Sequence, residues 1–124
     1  MIIGTGVDIC EIARIEKIMQ KNTAKFVNRI LTKEEQQGRE ITPCFLARRF
    51  AAKEAVAKAL GTGIGEKLSF QNIIISRNGN SRPKVVISGV GFPVNNVNIH
   101  LSISDENEYA VAFAVLEQAP IIYK

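Results

Sequence analysis

The run Thr42-Pro-Cys-Phe-Leu-Ala-Arg-Arg-Phe-Ala-Ala-Lys-Glu-Ala-Val-Ala-Lys-Ala-Leu-Gly61 decides how this chain folds. Thr42 is an N-cap residue, whose hydroxyl can accept from a backbone N–H left unpaired at a helix start, and Pro43 fills the first turn, where no N–H is required. Gly61 ends the run, because glycine adopts the left-handed conformation that closes a helix at no steric cost. The spacing therefore predicts one long helix reaching Leu60. At 100° per residue Glu54 and Lys58 stand one turn apart, on a face shared with Phe50, Ala51 and Ala47. An exposed Glu–Lys pair at this spacing contributes only about 0.2–0.5 kcal/mol and needs no function. The alanine surround argues for more, since a carboxylate in a tight, partly dry setting must meet a cation or a metal to stay charged.

Working outward, Ile2 to Ile9 alternates as a strand, with Ile3, Val7 and Ile9 on one face and Gly4, Gly6 and Asp8 on the other. The glycines clear the second face for a close backbone approach, and Asp8 stands at its end. Asp8 reads either as a ligand carboxylate or as a turn aspartate before the next helix. That helix is marked by Ile12, Ile15, Ile18 and Met19, and Phe26, Val27, Ile30 and Leu31 continue the helical spacing. Thr32 and Glu35 have capping-box spacing for a further short helix before Gly38. Past Gly61 the chain predicts a hairpin of Ile73–Ile75 and Val85–Ile87 around a turn at Asn78-Gly79. A second hairpin joins Val97–Ile103 to Tyr109–Leu116. One strand, then helices, then two hairpins is an α+β order: an antiparallel sheet packed against a central long helix, in a single domain spanning residues 1–124.

Sixteen Lys and Arg against twelve Asp and Glu favour anionic partners without naming one. Trp is absent and Tyr and Phe are few, so the stacking platforms of nucleic-acid binders are missing and no nucleic-acid partner is expected. Cys10 and Cys44 lack partners at metal spacing and read as reduced structural thiols. One histidine and two separated cysteines offer no zinc set, whereas Asp8 with Glu54 suits magnesium, which takes one or two carboxylates and completes its octahedron with water and phosphate oxygens. His100, the only histidine, lies on the polar side of its strand between Asn98 and Ser102, equally a structural residue or a phosphate or proton partner. The Gly61-Thr-Gly-Ile-Gly65 loop follows a helix and lacks the Lys-Ser/Thr of a nucleotide-binding loop. No signal peptide or membrane span is evident, and a cytoplasmic protein is expected.

Gly6-Val-Asp-Ile9, Arg49-Phe-Ala-Ala-Lys-Glu-Ala55, Lys58-Ala-Leu-Gly-Thr-Gly63 and His100-Leu-Ser-Ile-Ser104, in this order, resemble the holo-acyl-carrier-protein synthase family of phosphopantetheinyl transferases. The resemblance implies a 4′-phosphopantetheinyl transferase-like fold and transfer of phosphopantetheine from coenzyme A to a serine of acyl carrier protein. It further implies a Mg²⁺ site of Asp8 and Glu54, with Lys58 as a third catalytic residue contacting phosphate. Arg49, Lys58, His100, Gly61, Gly63, Asn80 and Pro83 would bind coenzyme A; Arg14, Met19, Lys25 and Phe26 would meet the carrier protein. A homotrimer with active sites between subunits is implied as well. For the serine proton, the candidates are a metal-bound water and the Glu34-Glu35 pair. The link Gly38–Pro43 departs from the family by being short and carrying only Arg39 as a basic residue.

Overall fold

The computed structural model describes residues 1–77, 82–89 and 96–120. Strand β1 (Ile2–Glu11) leads directly into helices α1 (Ile12–Lys21), α2 (Thr23–Ile30), α3 (Lys33–Gln36) and α4 (Pro43–Ala59). A 3₁₀ turn at Phe70–Asn72 introduces β2 (Ile73–Ser76), followed by β3 (Lys84–Ile87), β4 (Val97–Asp105) and β5 (Tyr109–Gln118). The expected caps are present: Thr42 Oγ1 accepts from the Phe45 N–H at 3.1 Å, and Thr32 and Glu35 cap one another reciprocally. Asn22 separates α1 from α2 by accepting from the Lys25 N–H at 3.1 Å.

The antiparallel strands form two sheets, one ordered β1-β5-β4 and one of β2 with β3. Helix α4 lies across the three-stranded sheet, and its backbone passes very close to β1. A Cβ added to Gly4 would fall on the Ala59 carbonyl oxygen, and one added to Gly6 on the Ala55 carbonyl oxygen and 2.7 Å from the Ala59 nitrogen. Ala110, Ala112 and Ala114 of β5 continue this smooth floor, against Ala51, Ala52 and Ala55 of the helix, all fully or almost fully buried. Small residues on both surfaces let helix and sheet approach within backbone contact.

α4 is buried on nearly every side, Lys53 included. The Lys53 ammonium, fully enclosed, donates to Glu35 Oε1 at 2.7 Å, to the Ile30 carbonyl at 2.7 Å and to the Phe70 carbonyl at 3.1 Å. Its three donors are thereby matched. Glu35 accepts in addition from the Thr32 N–H at 2.8 Å and, through Oε2, from the Ile75 N–H at 3.0 Å. Burial pushes the Lys53 ammonium down from its ordinary value, and Glu35 opposes that shift. One ion pair thus joins α2, α3, the 3₁₀ turn and β2 to the central helix. Breaking such a buried pair by removing one partner typically costs about 3–5 kcal/mol.

Replacing Gly6 with alanine places a methyl group against helix backbone that cannot swing aside. A loss of roughly 1–3 kcal/mol is expected, as for other overpacked cores. Urea unfolding checks this: the midpoint falls with the slope unchanged.

Candidate active site

β1 and α4 together build an acidic pair flanked by one cation. Asp8 shares the helix-facing side of β1 with Gly4 and Gly6, and the close crossing at Gly6 brings Lys58 within reach of it. Lys58 Nζ donates to Asp8 Oδ1 at 2.9 Å and to the Val7 carbonyl at 3.1 Å. The lysine therefore bridges helix to strand, and the expected pairing along the helix with Glu54 is replaced by this contact. Among the described residues no donor reaches the Glu54 carboxylate. Burial pushes that carboxyl up from the ordinary glutamate range and the Asp8 charge pushes it further, while Lys58 and Arg29 pull it down. Two neighbouring carboxylates, one of them paired with Lys58, have the donor chemistry to hold a hard divalent cation. No third His, Cys, Asp or Glu joins them among the described residues.

From Glu54 a cleft of about 310 Å³ opens between α1, α2 and α4, with Arg14, Phe26, Arg29, Phe50, Ile64 and Phe70 on its walls. Arg14 and Phe26, expected at the carrier-protein surface, line it. Met19 is only 8% exposed and packs in the core beneath α1, and Lys25 is exposed on α2. A surface contact through Met19 is therefore corrected to a supporting role, because its side chain is spent on the core. Arg29 was not singled out from sequence. It lies one turn after Phe26 on α2, and that i,i+3 spacing was the available signal.

Arg49 points away from Glu54, towards β4. It is 8% exposed and lines a second cleft of about 370 Å³ with Arg39, Arg48, Arg77, Ile103 and Asp105. The guanidinium carbons of Arg39 and Arg49 lie 4.1 and 4.9 Å from the centre of the same Phe45 ring. Burial lowers Arg49 to about 10; Glu35 opposes the shift, and Arg39, Arg48 and Arg77 add to it. Its buried Nε has no hydrogen-bond partner among the described residues. Of the carboxylates, Asp105 lines this cleft and is engaged by Arg48 at 3.2 Å. The excess of positive charge suits an anionic ligand, and Arg48 and Arg77, unmarked in the sequence, stand with Arg39 of the short linker around this cleft.

His100 and Pro83 line a third cleft of about 330 Å³ beside Arg82. Register shows how far this lies from the acidic pair. Asp8 pairs with Ala112, which pairs with Ile103, on the helix-facing side; His100 pairs with Val115, which pairs with Thr5, on the opposite side. Asp8 and His100 thus occupy different faces and opposite edge strands, two inter-strand spacings or roughly 10 Å apart before the offset along the strands. Gly61 and Gly63 adopt positive φ values of 87° and 63°, and their N–H groups bond the Lys58 and Ala57 carbonyls, so they terminate α4. Asn80 lies outside the described residues. Glu35 is withdrawn as a proton acceptor, because Lys53 and two backbone N–H groups already occupy its carboxylate.

The raised Glu54 carboxyl has a stability consequence with a definite sign. An acid whose folded pKa lies above its unfolded value supports the fold below the unfolded pKa and loses that support as pH rises through the folded one. Glu54→Gln is therefore expected to melt at a higher temperature than the parent at pH 7 in metal-free buffer. The gain should disappear near pH 3, as scanning calorimetry at both pH values will show.

The description "4′-phosphopantetheinyl transferase superfamily" belongs to the family whose model matches residues 4–114. A relative from Geobacillus sp. (strain WCH70), named holo-[acyl-carrier-protein] synthase, is 48% identical over 123 residues, covering 95% of this chain and 98% of the relative. The crystal structure of a holo-(acyl-carrier-protein) synthase from Bacillus anthracis, in complex with CoA (3′,5′-ADP), superposes with a TM-score of 0.81 at 42% identity, covering 96% of this chain and 99% of that one. The Helicobacter pylori holo-[acyl-carrier-protein] synthase in complex with coenzyme A gives a TM-score of 0.83 at 36% identity, covering 91% and 99%. With matches of this length and identity, the chain belongs to the 4′-phosphopantetheinyl transferase superfamily.

Proposed function

We propose that this protein is a holo-[acyl-carrier-protein] synthase: it transfers the 4′-phosphopantetheine of coenzyme A to a serine of apo acyl carrier protein and releases 3′,5′-ADP, serving fatty acid biosynthesis. The observation that carries the reading is the Asp8–Lys58 ion pair beside the half-buried Glu54. The solved relatives named with coenzyme A or its 3′,5′-ADP part support it.

Asp8 and Glu54 would hold Mg²⁺, which would supply charge neutralisation on the diphosphate. Lys58 supplies a positive charge to the same phosphates, and its bonds to Asp8 and to the Val7 carbonyl hold it in place. The serine oxygen forms a bond to the phosphorus that carries the pantetheine arm; the bond from that phosphorus to the 3′,5′-ADP oxygen breaks, and the serine proton passes to solvent water. The arginine cleft around Arg49 takes a phosphate of coenzyme A, because a buried guanidinium with an open Nε and like-charged neighbours is relieved by an anion. Arg14 and Phe26, with Lys25 on the next helix face, receive the carrier protein at the mouth of the Glu54 cleft.

In this reading the active enzyme is a homotrimer. Asp8, Glu54 and Lys58 sit at the β1 edge and His100, Pro83 and Arg49 on the β4 side, and a joint between the edges of two copies would bring one group from each to the same ligand. Repeating that head-to-tail joint three times closes a ring. The outer face of the sheet supplies the adhesive surface: Val7, Ile9 and Phe113 are 55%, 64% and 47% exposed. No described helix is long and apolar enough to cross a membrane.

Apo acyl carrier protein incubated with the enzyme, coenzyme A and magnesium should gain the mass of one phosphopantetheine by intact-mass spectrometry. A chelator should stop the gain, and Asp8→Asn or Glu54→Gln should slow it by about 100-fold or more while the fold is retained. An unmodified carrier protein would refute the assignment. Phe113→Glu should shift sedimentation from trimer to monomer and abolish transfer with it; an active monomer would refute the shared site.

A further inference from the structure

The outer face of β5 runs Tyr109, Val111, Phe113, Val115 and then Glu117, four apolar or aromatic positions followed by a carboxylate. Because His100 is paired with Val115, Glu117 is its diagonal neighbour on the same face, within reach of a long side chain. The reach is used: His100 Nε2 and Glu117 Oε1 are 3.0 Å apart. That hydrogen bond is the main cause lowering the Glu117 carboxyl from its ordinary value, so the group is an anion at neutral pH. Among the described residues the other charges around the pair are cations: Arg82 in the same cleft, Lys84 on β3, and the N-terminal amine near Glu117.

From this geometry we infer that Glu117 is a positioning residue for the coenzyme A site, holding His100 by Nε2 so that Nδ1 is the nitrogen left to meet a ligand phosphate. A carboxylate behind one ring nitrogen sets the orientation of an imidazole, and a ring protonated on both nitrogens and held between two anions keeps its second N–H to donate to a phosphate oxygen. Among the described residues Glu117 is the one hydrogen-bond partner of the His100 ring, whose side chain is 56% exposed. The inference rests on the proposed function for the identity of the ligand, and Glu117 itself touches no phosphate.

The experiment measures coenzyme A affinity by calorimetry for the wild type, Glu117→Val, Glu117→Gln, His100→Ala and the Glu117→Val/His100→Ala double variant. Glu117→Val should weaken binding about tenfold, the scale of one lost hydrogen bond to a charged group, and Glu117→Gln, which keeps an acceptor, should recover part of the loss. In the His100→Ala background Glu117→Val should change nothing further, the signature of one residue acting through the other. In the transfer assay the loss should appear in KM with kcat nearly unchanged, because the contact exists before and during the reaction. The ¹⁵N signals of the single imidazole should also move in Glu117→Val. Wild-type affinity in Glu117→Val, an undiminished loss without His100, or coincident imidazole signals would each overturn the inference. A wild type that binds coenzyme A but transfers nothing would overturn the proposed function alone, since binding and the imidazole signals still report on Glu117.

Discussion

The constraint on which the rest of the molecule depends is the near-contact of the α4 backbone with β1. Gly4 and Gly6 have no room for a side chain, and the alanines of β5 and α4 extend the same flat joint. Close packing of this kind contributes little area per residue but fixes position tightly, because neither surface has a rotamer with which to adapt. The consequence for chemistry is direct. With helix and strand pressed together, a lysine on the last turn of α4 reaches a carboxylate of the strand, and a glutamate one turn earlier lies close enough to feel the same charge. A strand carrying ordinary side chains would hold the helix farther off and pull the three groups apart.

The second constraint is rotational. Lys53 and Glu54 are neighbours in sequence and point about 100° apart around the helix. Lys53 is anchored inward by three hydrogen bonds, one of them to the capping-box glutamate of α3. That anchor prevents α4 from turning, and so sets the direction in which Glu54 faces the cleft and Arg49 faces β4. A residue with no access to solvent thereby sets the direction of two that line clefts, and a capping motif that stabilises a short helix also serves as part of the support.

The third feature is a division of labour across the sheet. The acidic pair and its lysine occupy the helix-facing side at the β1 edge; the histidine and its glutamate occupy the other face towards β4, with the arginine cleft nearby. The outer faces of β1 and β5 leave Val7, Ile9 and Phe113 exposed, an apolar surface whose burial would be favourable.

Much of this was legible in the residues. The cap at Thr42, the stop at Gly61, the capping box at Thr32 and the alternation of the strands are local signals, and each marks the element that the structure contains. Asp8, Glu54 and Lys58 stood out because small residues surrounded them, again a local pattern. The partners of those groups were not legible. That Met19 faces inward, that Lys58 turns to Asp8 rather than Glu54, that Lys53 and Glu35 neutralise one another and that Glu117 backs His100 follow from the packing, the last three being contacts between residues 17 to 50 positions apart. Periodicity along a chain tells which side of an element a residue occupies; only the docking of one element on another tells what stands opposite. The sequence by itself determined the elements and the chemical groups at hand, while the tertiary structure decided which charges meet, because pairing depends on distances set by close packing and register rather than by spacing along the chain.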